Sequence, residues 1–115
     1  MLLPHGDRAI VDIRKLRDYC LNLDNPRGSR KARVFRSAVG MTKSDAPALR
    51  QKLLQVAASE QANVGEKDRY GQRYTIDFEL RRGIRKVVVR SGWIVLSNET
   101  VPRLTTCYVK KRTRQ

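Results

Sequence analysis

Histidine and cysteine are both scarce in this sequence. It holds one histidine, His5, and two cysteines, Cys20 and Cys107. A single histidine excludes any mechanism that needs a pair of them as acid and base. His5 sits between Pro4 and Gly6, the setting of a solvated loop residue rather than a sole catalytic base. The cysteines stand apart without C-x-x-C spacing, which points away from a zinc site or a disulfide framework. They read as buried free thiols, a usage that suits a reducing cytoplasm. Long apolar runs are missing too: none approaches the roughly 18 residues needed to span a membrane. The opening Met1-Leu2-Leu3-Pro4 turns polar at once, so no signal peptide is expected. There is no Gly-rich phosphate loop, zinc pattern or Ser-centred hydrolase elbow, and no cofactor is expected.

Acidic residues are the remaining scarcity. Eleven Asp and Glu face 25 Lys and Arg, for a formal net charge of +14. Such a field draws polyanions, and it is more than solubility requires. The excess is distributed: residues 1–67 carry 13 basic and 7 acidic side chains, residues 68–115 carry 12 and 4. Only residues 110–115 read as a loose basic tail, so a folded surface must present the rest. A nucleic acid, RNA or DNA, is the expected partner, held through its phosphates.

Length and composition fit one domain over residues 1–109. A helix is predicted over residues 12–21, capped by Asp12, with Ile13, Leu16 and Cys20 on one face. Asn25-Pro26-Arg27-Gly28 makes a turn. Ser29 then caps a second helix to Val39, with Ala32, Phe35, Ala38 and Val39 inward and Gly40 as terminator. A third helix starts at Ser44 or Asp45 with Pro47 in its first turn. Residues 63–71 read as a polar loop. From Arg73 the chain alternates, with Tyr74, Ile76, Phe78 and Leu80 on one side, as a half-buried strand does. Residues 84–96 form a second strand whose apolar parity changes near Gly92, the natural place for a bulge. Residues 103–109 form the last. The predicted fold is α+β: about three N-terminal helices on one face of an antiparallel meander of three to four strands.

The string Gly28-Ser29-Arg30-Lys31-Ala32-Arg33-Val34-Phe35 resembles the G-x-x-K-A-x-x-F opening of a bacterial family of unknown function. The runs from Tyr70 to Asp77, from Val89 to Val95 and from Pro102 to Tyr108 are similar to it too. That family occurs as small stand-alone proteins and at the C-termini of large secreted toxins. Its layout resembles the barnase/EndoU/colicin/RelE superfamily of ribonucleases. The resemblance implies a toxin-type endoribonuclease, cytoplasmic in its action, neutralised by a small acidic antitoxin or immunity protein. The chain departs from the commonest pattern at Gly92, where a larger residue is usual, at Cys107, where Ala is, and after Tyr108, where Val109 and basic residues replace Pro.

Metal-independent RNA cleavage needs positioned cations and donors at the phosphate and a group to move protons. Lys31, in the first turn of the second helix, is the first candidate to hold the scissile phosphate. Thr106 and Tyr108 are two apart on the last strand and share a face; with Arg90 they complete the expected catalytic set. Arg30, Arg33 and Arg103 are expected to grip flanking phosphates, with Ser91 nearby and Trp93 stacking on a base. Asp77 and Glu79 share a strand face but lack the acid-x-Lys spacing of magnesium-dependent nucleases, so no metal is expected. The rival readings are a non-catalytic RNA- or DNA-binding module and, behind it, a metal-dependent DNase. The distributed charge alone makes one prediction: affinity for RNA should fall about 10³-fold or more between roughly 50 and 200 mM salt. A flat salt dependence in filter binding would contradict it.

Overall fold

Local signals place the helices of the computed structural model, which describes residues 1–110; all of the expected basic tail except Lys110 lies outside the described residues. Asp12 accepts the Arg14 backbone N–H at 3.0 Å and starts α1, Ile13–Lys15, which widens into a π-helical turn, Leu16–Cys20. Leu16 and Cys20 are fully buried. The second helix, α2, spans Ser29–Val39 and stops at Gly40, whose φ of 69° is left-handed. Gly28 rather than Ser29 caps it. A Cβ at Gly28 would collide with the Tyr19 carbonyl, so glycine lets the start of α2 press onto the π-helical turn. In front of the third helix the Asp45 carboxylate accepts the Thr42 backbone N–H at 2.9 Å. α3 then runs Ala46–Ser59 with Pro47 in its first turn, where a missing N–H costs nothing.

Four antiparallel strands follow in the order β1, β2, β3, β4: β1 Asn63–Lys67, β2 Gly71–Arg82, β3 Arg85–Leu96 and β4 Arg103–Val109. The architecture is α+β with the helices first. β1 replaces the loop expected over residues 63–71. All five of its residues are exposed, so no apolar alternation marks it; pairing of Asn63 with Thr75 and Val64 with Tyr74 holds it on β2. The core lies between the helices and the sheet face that carries Ile76, Phe78, Val89 and Trp93, joined by Leu16, Phe35, Leu49 and Leu53.

Parity in β3 does not switch at Gly92. Val87, Val89, Ser91 and Trp93 share one face and are all buried, while Ile94 is buried on the other. The irregularity lies in the partner strand. Gly92 pairs with Thr106 and Trp93 with Leu104, so Thr105 is the extra residue, bulged out of β4. A Cβ at Gly92 would stand 2.8 Å from Thr105 Oγ1 and 3.4 Å from Thr106 Cγ2. Glycine therefore leaves room for the bulge. Gly92→Val is expected to lower stability by about 1–3 kcal/mol through overpacking. Because the clash is with one hydroxyl, Thr105→Ala should recover part of the loss, seen as non-additive Tm values in a double-mutant cycle. Additive effects would place the strain elsewhere.

Candidate active site and nucleic-acid interface

The site forms where the first turn of α2 meets the outer edge of the sheet. Lys31 Nζ donates to Thr106 Oγ1 at 2.9 Å. The same ammonium lies 5.4 Å from the Tyr108 ring centre and 5.8 Å from that of Tyr19. Both distances are within cation–π range. The half-buried Lys31 is thus held by a hydroxyl and two aromatic faces. Tyr19 enters from the π-helical turn, brought near α2 by the close approach at Gly28. Sequence reasoning missed it, because its only signal is a residue left off the apolar stripe of the first helix.

Tyr108 is the direct cross-strand neighbour of Arg90, and Arg90 of Asp77. These three make a row on the sheet face turned away from the core. Arg90 donates Nε to Asp77 Oδ1 at 2.8 Å and Nη2 to Oδ2 at 2.9 Å, and Lys110 Nζ donates to Oδ2 at 3.1 Å. Asp77, bonded first by Arg90 and then by Lys110, is held below the usual carboxylate range. Arg90 is raised above its ordinary value chiefly by Asp77, with a smaller contribution from the Tyr108 hydroxyl. Arg90 is therefore a fixed, already paired cation beside Tyr108, not an open fork for phosphate. Asp77 serves as its counter-charge, and no cluster of acidic, His or Cys side chains suited to a metal occurs among the described residues.

Beneath Thr106 lie the two cysteines, both buried and unbridged. The Cys107 thiol bonds to the Cys20 sulfur and brings the Cys20 thiol down to about 7 against the opposing effect of burial. The Cys107 backbone N–H, the Lys31 ammonium and the Thr106 hydroxyl act in the same direction. Cys107 is pushed up by that same bond and by its burial. The expectation of buried free thiols holds, but the fold joins the two residues, which no sequence spacing announced.

Three of the expected nucleic-acid contacts are corrected. Trp93 is 1% exposed and donates Nε1 to Ser91 Oγ at 2.9 Å; Ser91 is wholly buried and donates to the Ile76 carbonyl at 2.9 Å. Both belong to the core face of β3, so neither meets a base. Arg103 stands at the opposite end of β4 from Tyr108 and is bound to Glu99 through two bonds of 2.7 and 2.9 Å. Arg30 and Arg33 are exposed on α2. Residues 25–44 contain six basic side chains and no acidic one, and neither arginine has an ion-pair partner among the described residues.

The model of the domain of unknown function DUF6883 matches residues 2–111. The chain belongs to the DUF6883 family. No curated protein matches it. The matched residues include the whole of the site just described.

The buried side of this row titrates in a stated direction. Asp77→Asn should cost about 1 kcal/mol near neutrality, since the pair is partly exposed. A carboxylate lowered in the folded state contributes stability that is complete above its unfolded value near 4. That contribution disappears as the pH falls through the lower folded value. Wild type and Asp77→Asn should therefore converge in stability as the pH falls through that lowered value, measured by urea midpoints. A gap that persists unchanged in acid would show that the ion pair is not its origin.

Proposed function

We propose that this protein is an RNA-cleaving enzyme that works without a metal, by transesterification at phosphorus, and that an acidic partner protein neutralises it. The observation that carries the reading is the convergence of Lys31, Thr106, Tyr108 and Arg90, from three separate elements, at the end of an acid-free arginine face. In the reaction the ribose 2′-oxygen attacks phosphorus and the bond to the 5′-oxygen breaks. The products are a 2′,3′-cyclic phosphate and a 5′-hydroxyl. The 2′-hydroxyl loses a proton, the 5′-oxygen gains one, and negative charge builds on the non-bridging oxygens.

Lys31 answers that charge, and its restraint by Thr106 and the two rings keeps the ammonium where the charge develops. The Tyr108 hydroxyl, beside Arg90 and within reach of the same phosphate as Lys31, is the group that moves a proton. Arg90 and Asp77 fix Tyr108 from the neighbouring strand. Arg30 and Arg33, exposed and unpaired, hold the flanking backbone. The partner is expected to be acidic because a surface of this charge attracts anionic faces and repels cationic ones.

The test is cleavage of an end-labelled RNA in excess EDTA. Wild type should yield 2′,3′-cyclic phosphate or derived 3′-phosphate ends. Lys31→Ala removes one donor and should lower the rate on the order of 10²–10³-fold. Tyr108→Phe deletes only the hydroxyl and should slow cleavage by about 10²-fold or more, with RNA affinity within about tenfold of wild type. Near wild-type rates in both variants would remove the site from the mechanism. Binding without cleavage by the wild type would make the chain a nucleic-acid-binding module, and chelator-sensitive release of 5′-phosphates would make it a metal-dependent nuclease.

A further inference from the structure

Further along α2 the same helix face that carries Lys31 borders an open groove of about 620 Å³. Its apolar residues are Val34 and Ala38 from α2, Val87 and Val109 from the sheet, and Ile84 from the tip of the hairpin joining β2 to β3. Ile84 is fully exposed, at 103%, and Val34 is 40% exposed. A branched aliphatic side chain at a hairpin tip contributes nothing to this fold, and a group of them around one groove marks a surface made to be covered. The rim is cationic. Arg85, Lys86 and Lys110 line it and no acidic residue does, although Lys110 is shared with Asp77 at 3.1 Å and Lys86 lies 4.0 Å from Glu79. Arg85 Nη1 would lie 3.6 Å from a Cβ at Gly40, so this side chain reaches from the hairpin to the end of α2.

These features choose among occupants. A second copy of the chain would bring another +14 against a cationic rim. The chain's own remaining residues, Lys111, Arg112 and Arg114 among them, carry the same sign. A nucleic-acid strand satisfies the rim but not the floor, which is aliphatic where base-stacking platforms are aromatic. An acidic segment with an apolar stripe satisfies both. We infer that the groove between α2 and the β2–β3 hairpin docks an acidic amphipathic segment of a separate protein. Spaced at helical i, i+3 and i+7, Lys31, Val34 and Ala38 lie along one line, so a segment seated there extends over the candidate active site and closes it. The inference rests on the neutralising-partner part of the function proposed above and does not require that RNA be cleaved.

The probe is a synthetic peptide of about 16 residues with leucine at helical i, i+3, i+4, i+7 spacing and glutamate elsewhere. Its control replaces each leucine with serine at equal charge. By fluorescence anisotropy the leucine peptide should bind wild type at least about tenfold more tightly than the serine peptide, because only it buries the floor. Ile84→Asp, at a fully exposed position outside the active site, should remove that tenfold while leaving affinity for an oligouridylate within about twofold. The leucine peptide should also block oligouridylate binding to wild type. Equal binding of the two peptides would reduce the effect to charge and overturn the proposal. So would loss of RNA affinity in Ile84→Asp matching the loss of peptide, or a concentration-dependent dimer of wild type abolished by the same variant. Failure of wild type to cleave RNA changes none of these readings.

Discussion

An extra residue in the edge strand decides which side chains face outward. Leu104 and Thr106 are two apart and in an uninterrupted strand would share a face. Thr105 breaks that relation. Because it is bulged opposite Gly92, Leu104 turns into the core beside Trp93 while Thr106 and Tyr108 turn toward the other side. Without it, either a leucine would be stranded at the surface or a threonine and a tyrosine would be packed among apolar neighbours. Bulges commonly re-aim side chains at sites of function. Here the device depends on the absence of one Cβ. Gly92 is therefore structural in effect, and as the cross-strand partner of Thr106 it bears directly on the candidate site.

Charge is divided between elements in a way that follows from where the acids are. Seven acidic residues form ion pairs among the described residues, and their partners include Arg14, Arg17, Arg73, Arg82, Arg90 and Arg103. None of those partners is on α2. These arginines are thereby balanced locally and contribute little outward field. Those of α2, with no acid within residues 25–44, are left to face solvent. The net charge of +14 is spread along the chain, and residues 25–44, which include α2 and Lys31, carry six cations with no acidic residue among them.

The helices and the two long strands were legible because each carries its own period. Apolar residues at Leu49, Leu53 and Val56 announce a helix, and Ile76, Phe78 and Leu80 announce a strand. β1 was not legible, since a wholly exposed strand owes its shape to backbone pairing with a neighbour and leaves no mark in its own residues. The same limit explains the misreading of Trp93. Its residue type suits a base platform as well as a core, and only the packed strands decide between them. Lys31, Thr106 and Tyr108 could be named from residue type and strand parity, whereas Tyr19, Cys20 and Cys107 joined them only through tertiary contact across the π-helical turn. Arg103 is expected from the sequence to grip a phosphate, but Glu99 on the turn before β4 already holds it, a contact that only the folded turn reveals.

What separates a place for chemistry from a place for grip on this surface is restraint. The α2 arginines are exposed, long and unpaired, so each phosphate they hold requires a flexible side chain to be ordered on binding. Lys31 has met most of that cost in the folded protein, with Thr106 fixing its donor and the rings of Tyr19 and Tyr108 flanking the ammonium. A cation held in advance stabilises developing charge more effectively than one that must be gathered from solvent, because no reorganisation accompanies the charge as it forms. In the proposed reaction, binding energy from the exposed arginines orients the substrate against the restrained Lys31. A surface that only bound RNA would gain little from enclosing one lysine between two tyrosines while leaving its neighbours free. That difference between adjacent residues of a single helix is the physical ground for placing the reaction at Lys31 and the affinity along the arginine face.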